Sequence, residues 1–247
     1  MEGRHARVTG GGGGIGAACA AALTRAGASV TVLGRREEAL RAQVAAGHAH
    51  DYLTADLTDA DATAAAIGSL ALPVDLLINN AGAAASGPFV QSSDADFLSM
   101  LEINLMSAVR ATRLVLPGMV DRGFGRVVNI ASVAALKGYP YVAAYVASKH
   151  ALLGFTRALA AETAAKGVTV NAICPGYVDT DMTARSVDTI VAKTGRSPDQ
   201  AKTALAAHNP QGRLIQPDEV AAAVLYLCGD AAGGVTGAAL PVNGGEV

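Results

Sequence analysis

Five consecutive glycines, Gly10 to Gly14, separate a short strand-like run from an alanine-rich helical run. No other feature limits the fold of this chain so tightly. The full segment reads Thr9-Gly10-Gly11-Gly12-Gly13-Gly14-Ile15-Gly16. Ala6-Arg7-Val8 precedes it, and Ala17 to Ala26 follows. Strand, glycine turn and helix in that order are what a dinucleotide site requires. Glycines let the backbone approach a pyrophosphate, and a helix N-terminus offers free N–H groups and a favourable dipole. A merely flexible loop is the plain alternative, but it explains neither flank.

Beyond this segment, short β-branched runs alternate with longer Ala/Leu-rich ones. Strands are predicted near 5–9, 28–34, 50–54, 74–79, 126–131, 168–174 and 239–242. Helices are predicted near 15–26, 36–46, 60–71, 95–120, 143–166 and 217–229. Such alternation implies the α/β class, with a parallel sheet covered on both faces. No linker and no fixed-period repeat divides the chain. The expected architecture is one doubly wound Rossmann-type domain over residues 1–247, with about seven strands. Residues 181–213 break the alternation and contain no convincing strand. Ser197-Pro198-Asp199 marks a helix start, with serine as cap and proline in the first turn. A long insertion at the carboxyl edge of a sheet reads as a substrate lid, or as a helical excursion that only packs.

Composition removes several function classes. A net charge of −2, with no basic cluster, argues against nucleic acid or an anionic membrane as partner. Cys19, Cys174 and Cys228 lie far apart without metal-ligand spacing, so no metal is expected. They read as small buried hydrophobes in a reducing compartment. No apolar run reaches the roughly 18 residues of a membrane span. The first strand lies within ten residues of Met1, which leaves no room for a signal peptide. The expected location is cytoplasmic.

Three further segments carry chemistry. Tyr145 and Lys149 stand four residues apart, one helical turn on one face. An ammonium beside a phenol favours the phenolate and lowers the tyrosine pKa. A tyrosine tuned this way can exchange a proton with an alcohol or ketone oxygen. The alternative is a tyrosine packed under a lysine stem. In Asp75-Leu-Leu-Ile-Asn79-Asn80-Ala81-Gly82, an apolar strand runs into two amides, which either hold the strand end open to a ligand or form an ordinary turn. In Val127-Val-Asn-Ile-Ala-Ser132, an apolar strand ends in a hydroxyl. Ligands of open parallel sheets bind beyond the carboxyl ends of strands, though a serine there is also a common cap.

Together, Thr-Gly-x-x-x-Gly-Ile-Gly, Asn-Asn-Ala-Gly, a strand-end serine and Tyr-x-x-x-Lys resemble the short-chain dehydrogenase/reductases. Asn104 in Glu102-Ile-Asn-Leu and Pro175-Gly176-Tyr-Val-Asp-Thr180 extend the match over almost the whole chain. The resemblance is strongest to the β-ketoacyl reductase branch. It implies reversible hydride transfer between a nicotinamide and a carbonyl or secondary alcohol. Tyr145 would be the general acid–base, Lys149 would also hold the nicotinamide ribose, and Ser132 would donate to the substrate oxygen. Asn104 would support a proton-relaying water, although an amide satisfying helix backbone fits the sequence equally. The implied cofactor contacts are Gly10, Gly14, Ile15, Gly16, Asp56, Leu57, Asn80, Ala81, Gly82, Pro175, Gly176, Val178 and Thr180, with Tyr145 and Lys149. Asp56 would hold the adenine amino group, or else cap the helix after Thr58.

The end of the second strand bears on which nicotinamide binds. A carboxylate there accepts from the ribose 2′-hydroxyl of NAD, whereas an arginine suits the 2′-phosphate of NADP. Here the strand ends Val32-Leu33-Gly34-Arg35-Arg36, without a carboxylate. Arg35 is therefore expected to read the phosphate and NADP is preferred over NAD, unless both arginines only begin a solvated helix face. Glu37 and Glu38 belong to the next helix's first turn.

The substrate is less constrained. Gly138, Tyr139, Tyr141, Phe89 and Met182 could line an apolar pocket or simply pack. Carrier-protein reductases dock their acidic partner with basic residues; Lys166 matches one such position, and Gly123 beside Arg122 occupies the other. A 3-oxoacyl thioester or related ketone is the expected substrate. The rivals are an NAD-dependent secondary-alcohol or 3-hydroxyacyl dehydrogenase, an isomerase or dehydratase, and a catalytically silent dinucleotide-binding regulator. Small residues Ala143, Ala144, Ala147 and Ala151, with Leu152, suit close helix packing across a two-fold axis. The resemblance makes this pairing a homotetramer first and a dimer second.

Overall fold

The computed structural model describes residues 1–68 and 72–247. Seven parallel strands form one sheet in the order β3-β2-β1-β4-β5-β6-β7. They are β1 (His5–Thr9), β2 (Ser29–Gly34), β3 (Asp51–Thr54), β4 (Leu76–Asn79), β5 (Gly125–Ile130), β6 (Val168–Pro175) and β7 (Ala239–Val242). The strand order reverses between β1 and β4, and the crevice outside such a reversal is where ligands bind. Central strands read as near-continuous apolar runs because both faces are covered. Val8, Val32, Leu77, Ile78 and Val128 are fully buried.

Nine helices are resolved among the described residues. They are α1 (Gly14–Arg25), α2 (Glu37–Ala45), α3 (Ala60–Gly68), α4 (Asp94–Leu101), α5 (Ser107–Asp121), α6 (Ala143–Thr163), α7 (Asp181–Thr194), α8 (Pro198–Ala206) and α9 (Pro217–Cys228). On one face α1 packs with α9 around Leu23, Val30, Ile78 and Val224. On the other, α5 and α6 cover Leu77, Val127 and Val170. None of the described helices is long and apolar enough to cross a membrane.

One expectation about elements changes. The single helix expected over 95–120 is broken by a wide turn, Glu102–Met106, between α4 and α5. Buried Asn104 sits in that turn and bonds outside its own helix, and wide turns of this kind favour functional positions. The last three residues of the helix expected over 60–71 lie outside the described residues. The helix start at Ser197 is borne out: Ser197 and Gln200 form a reciprocal capping box, with Pro198 in the first turn.

Candidate active site

Because every strand pair is parallel, all carboxyl ends meet at one edge. Thr9 and the glycine turn leave β1 there. The Thr9 hydroxyl accepts from Asn80 N at 2.9 Å and Ala81 N at 3.0 Å. Asn80 Nδ2 donates to Thr9 O at 3.0 Å and Gly10 O at 3.1 Å. The two asparagines thus divide their work. Asn80 ties the glycine turn to the end of β4, while buried Asn79 donates to Thr112 and Asn129 inside the sheet.

Ser132 follows β5 in an extended conformation, and its Oγ accepts from Ala134 N at 3.1 Å. It is therefore a cap, yet capping uses only an acceptor lone pair and leaves the hydroxyl proton free to donate. Helix α6 supplies Tyr145 and Lys149. Lys149 is 5% exposed and donates to Ile130 O at 2.9 Å. Asn104 Oδ1 accepts from Ala83 N at 3.0 Å, while its Nδ2 donates to Ala83 O at 2.9 Å and to Ser148 Oγ at 3.1 Å. Asn104 thus clamps the chain after β4 against α6. A side chain on Gly82 would begin 2.7 Å from Asn104 Oδ1, so this close approach requires glycine.

The electrostatics correct one expectation. Lys149 does not bring the Tyr145 phenol below its ordinary pKa. Its ammonium lies 5.8 Å from the ring centroid and bonds a carbonyl instead. Burial dominates and raises the Tyr145 pKa, a hydrogen bond with Ser132 opposes the rise, and nearby Tyr177 adds to it. Burial also lowers Lys149 to about 8. The phenol is therefore protonated near neutrality, and of the two groups the lysine titrates closer to that range.

Ser132, Tyr145, Lys149 and Asn104 meet in one largely apolar cavity of about 180 Å³. Pro175, Gly176, Val178 and Thr180 line it from the end of β6, and Tyr139, Tyr177 and Met182 complete the wall. A larger cleft of about 570 Å³ adjoins it, bordered by Gly10, Gly14, Arg35, Asp56, Leu57 and Ala81. Ile15, Asn80, Gly82, Ala83, Thr180 and Met182 border both spaces.

This cleft fits a dinucleotide. Helix α1 opens at Gly13 without a side-chain cap and without an acidic first turn, so its free N–H groups face an uncompensated dipole end. A side chain on Gly13 would meet nothing closer than Arg36 Nη2 at 4.0 Å. Asp56 Oδ1 accepts from Thr58 N and Oγ1, and these bonds hold its carboxyl below the usual range. Capping of α3 falls to Asp59, which accepts from Asp61 N and Ala62 N. Asp56 therefore shapes the turn and keeps Oδ2 3.9 Å from Arg35 Nη1. Glu37 and Glu38 do lie in the first turn of α2.

Some expected residues stand elsewhere. Gly16 does not border either space. A side chain there would begin 2.3 Å from Gly10 O, so glycine is required for the packing of the turn. Of the five residues expected to line an apolar pocket, Tyr139 and Met182 do so. Gly138 does not border the cavity. Phe89 is exposed against Phe97, and Tyr141 is exposed at a positive φ of 66°. Leu152 is buried in the core rather than offered to a second chain. Arg122 is held by Val74 O and Asp75, and with Lys166 it precedes a strand, at the edge opposite the cavity. Sequence reasoning missed Gly12, Gly13, Arg36, Arg185 and Tyr177 as lining residues. The glycine run and the Arg35-Arg36 pair carried a signal for the first three; nothing marked Arg185.

Comparison with known proteins agrees with this geometry. The sequence model of the family described as short chain dehydrogenase matches residues 4–190. An acetoacetyl-CoA reductase of Allochromatium vinosum is 39% identical over 251 residues, covering 98% of each chain. A D-beta-hydroxybutyrate dehydrogenase of Cupriavidus necator is 37% identical over 256 residues, covering 100% of this chain and 99% of that one. The crystal structure of a variant of actinorhodin polyketide ketoreductase with NADPH superposes with a TM-score of 0.95 at 39% identity, covering 100% of this chain and 99% of that one.

Proposed function

Since this chain belongs to the short chain dehydrogenase family, we propose that it is an NADP(H)-dependent oxidoreductase that reduces a ketone, with a 3-oxoacyl thioester as substrate class. The observation that carries this reading is the meeting of Ser132, Tyr145 and Lys149 in one cavity that adjoins a glycine-walled cleft bearing Arg35. Relatives named for acetoacetyl-CoA and for a polyketide support the substrate class, and a neighbour holding NADPH supports the cofactor.

Bound in the cleft, the nicotinamide supplies the hydride that adds to the carbonyl carbon. The chain's own residues do the rest. The glycine turn and the open end of α1 receive the pyrophosphate, and Arg35 reads the 2′-phosphate. Ser132 donates to the carbonyl oxygen, which gains charge in the transition state, and a fixed donor there lowers the barrier. Tyr145, kept protonated by burial, gives its proton to that oxygen. Lys149 holds its charge behind the phenol, and Asn104 fixes the walls that carry both.

This predicts the pH dependence. Lys149 is an ammonium below about 8 and loses that charge above it. Reductive kcat/KM should therefore fall as pH rises past about 8, while protonated Tyr145 persists further. A profile from neutral to alkaline pH checks this, and a flat profile would contradict it.

Residues 181–213 are proposed as the lid, because Met182 and Ser186 reach the smaller cavity while Arg185 reaches the larger. The proposed assembly is a cytoplasmic homotetramer. Leu98 of α4 and Leu114 of α5 are 66% and 42% exposed, and Ala143 and Ala147 lie on the exposed side of α6. Light scattering at micromolar concentration should give four times the chain mass; a monomer would refute this. The functional reading itself is tested by following NADPH consumption against acetoacetyl-CoA, ethyl acetoacetate and a cyclic ketone. Turnover of a 3-oxo substrate is expected, and none with any carbonyl would overturn the reading.

A further inference from the structure

We propose that Glu246 is a positioning residue for the substrate, acting through Tyr139 on the wall of the catalytic cavity; the inference rests on the ketoreductase reading. Glu246 does not border the cavity, but Tyr139, Gly176 and Tyr177 do. Its side chain is 2% exposed. It accepts a hydrogen bond from the Tyr139 hydroxyl. Lys137 Nζ stands 3.1 Å from Oε1 and His208 Nδ1 3.9 Å from it. Oε2 is buried without a hydrogen-bond partner among the described residues, and a Cβ on Gly176 would stand 3.2 Å from it. The His208 ring packs on Tyr139 at 5.8 Å and on Tyr177 at 5.5 Å between centroids. Four separate stretches thus converge behind one wall: the segment after β5, the end of β6, the segment after α8 and the segment after β7.

A buried carboxylate is a costly way to build a wall that apolar side chains could build alone. What it adds is direction. Burial and the Glu246 carboxylate both push the Tyr139 phenol up, so it remains a donor to that carboxylate. Glu246 is itself fixed, since Asn243 Oδ1 accepts from Gly245 N at 3.0 Å and Glu246 N at 3.2 Å. The far end of the Tyr139 ring is therefore anchored. The ring stays a rigid face beside Ser132 and Tyr145 instead of swinging into their cavity. The part of the substrate flanking its carbonyl rests on that face.

Steady-state kinetics with NADPH and the 3-oxo substrate, NADPH titration and thermal melting test this on four variants. Glu246→Ala should raise substrate KM by about tenfold, the value of one hydrogen bond to a charged group. Its kcat and NADPH Kd should stay within about threefold of wild type. Tyr139→Phe, which keeps the ring and drops only the tether, should show the same split, and the double variant should add little to either. Glu246→Gln retains an oxygen acceptor and should restore most of the lost affinity. Unchanged KM in Glu246→Ala would overturn the inference. So would additive effects in the double variant, or Gln and Ala variants equally impaired in KM, kcat, NADPH Kd and melting alike. An inactive wild type would overturn the ketoreductase reading and this inference with it. An active wild type with any of the other contrary results overturns this inference alone.

Discussion

Replacing Tyr145 by phenylalanine should lower kcat for ketone reduction by about 10²–10⁴, the range for losing a general acid. The substitution keeps the ring and removes the one proton aimed at the substrate oxygen. NADPH binding should change little, because the larger cleft is bordered by other residues. Burial raises the phenol's pKa, so in wild type the acid is already loaded near neutrality, whereas the reverse oxidation must first strip that proton. Wild-type alcohol oxidation should consequently climb with pH, and the phenylalanine variant should lose that climb. Kinetics in both directions check this. Near-normal reduction by the variant would mean that Tyr145 is a packing residue.

The second large effect concerns the cofactor. Arg35→Ala should weaken NADPH binding about ten- to a hundredfold, the value of hydrogen bonds to a charged group. NADH lacks the phosphate and should bind almost as before. Arg35 is free to act this way, since its own partner Asp56 stands 3.9 Å off and both side chains are well exposed. Gly34→Asp should move the preference further, through a new acceptor for the 2′-hydroxyl and a new repulsion of the phosphate. The site tolerates it, because a Cβ on Gly34 would meet Leu40 at 3.6 Å, an ordinary contact. NADPH affinity should also fall faster than NADH affinity as salt rises. Titration of both variants with both cofactors reads this out. An equal loss for the two cofactors in Arg35→Ala would contradict the assignment.

Much of this was legible in the chain because several signals are local. A glycine run, a strand that ends in Ser132 and a Tyr-x-x-x-Lys spacing each fix a backbone path whatever lies around them. The strand order and the break at Glu102–Met106 were not local. Asn104 leaves its helix to bond Ala83, 21 residues earlier, and only the packed structure shows that. The protonation of Tyr145 was misjudged for a related reason. A spacing of four reports which side chains share a helix face, but not how deeply both are buried, and burial decides the shift. Gly16 has a second role the motif does not reveal, since it also serves the turn's own packing against Gly10 O and Asn80. Glu246 carried no signal, since its partners Lys137, Tyr139 and His208 come from distant segments.

In the proposed reaction Ser132 and Tyr145 hold the carbonyl whose carbon accepts a hydride from NADPH. The most direct measurement uses NADPH deuterated at the transferable position, with acetoacetyl-CoA as acceptor and mass spectrometry of the product. One deuterium on the carbinol carbon is the expected result, with Ser132→Ala and Tyr145→Phe forming the same product far more slowly. A product without deuterium at that carbon, or wild-type rates in both variants, would overturn the proposed reaction.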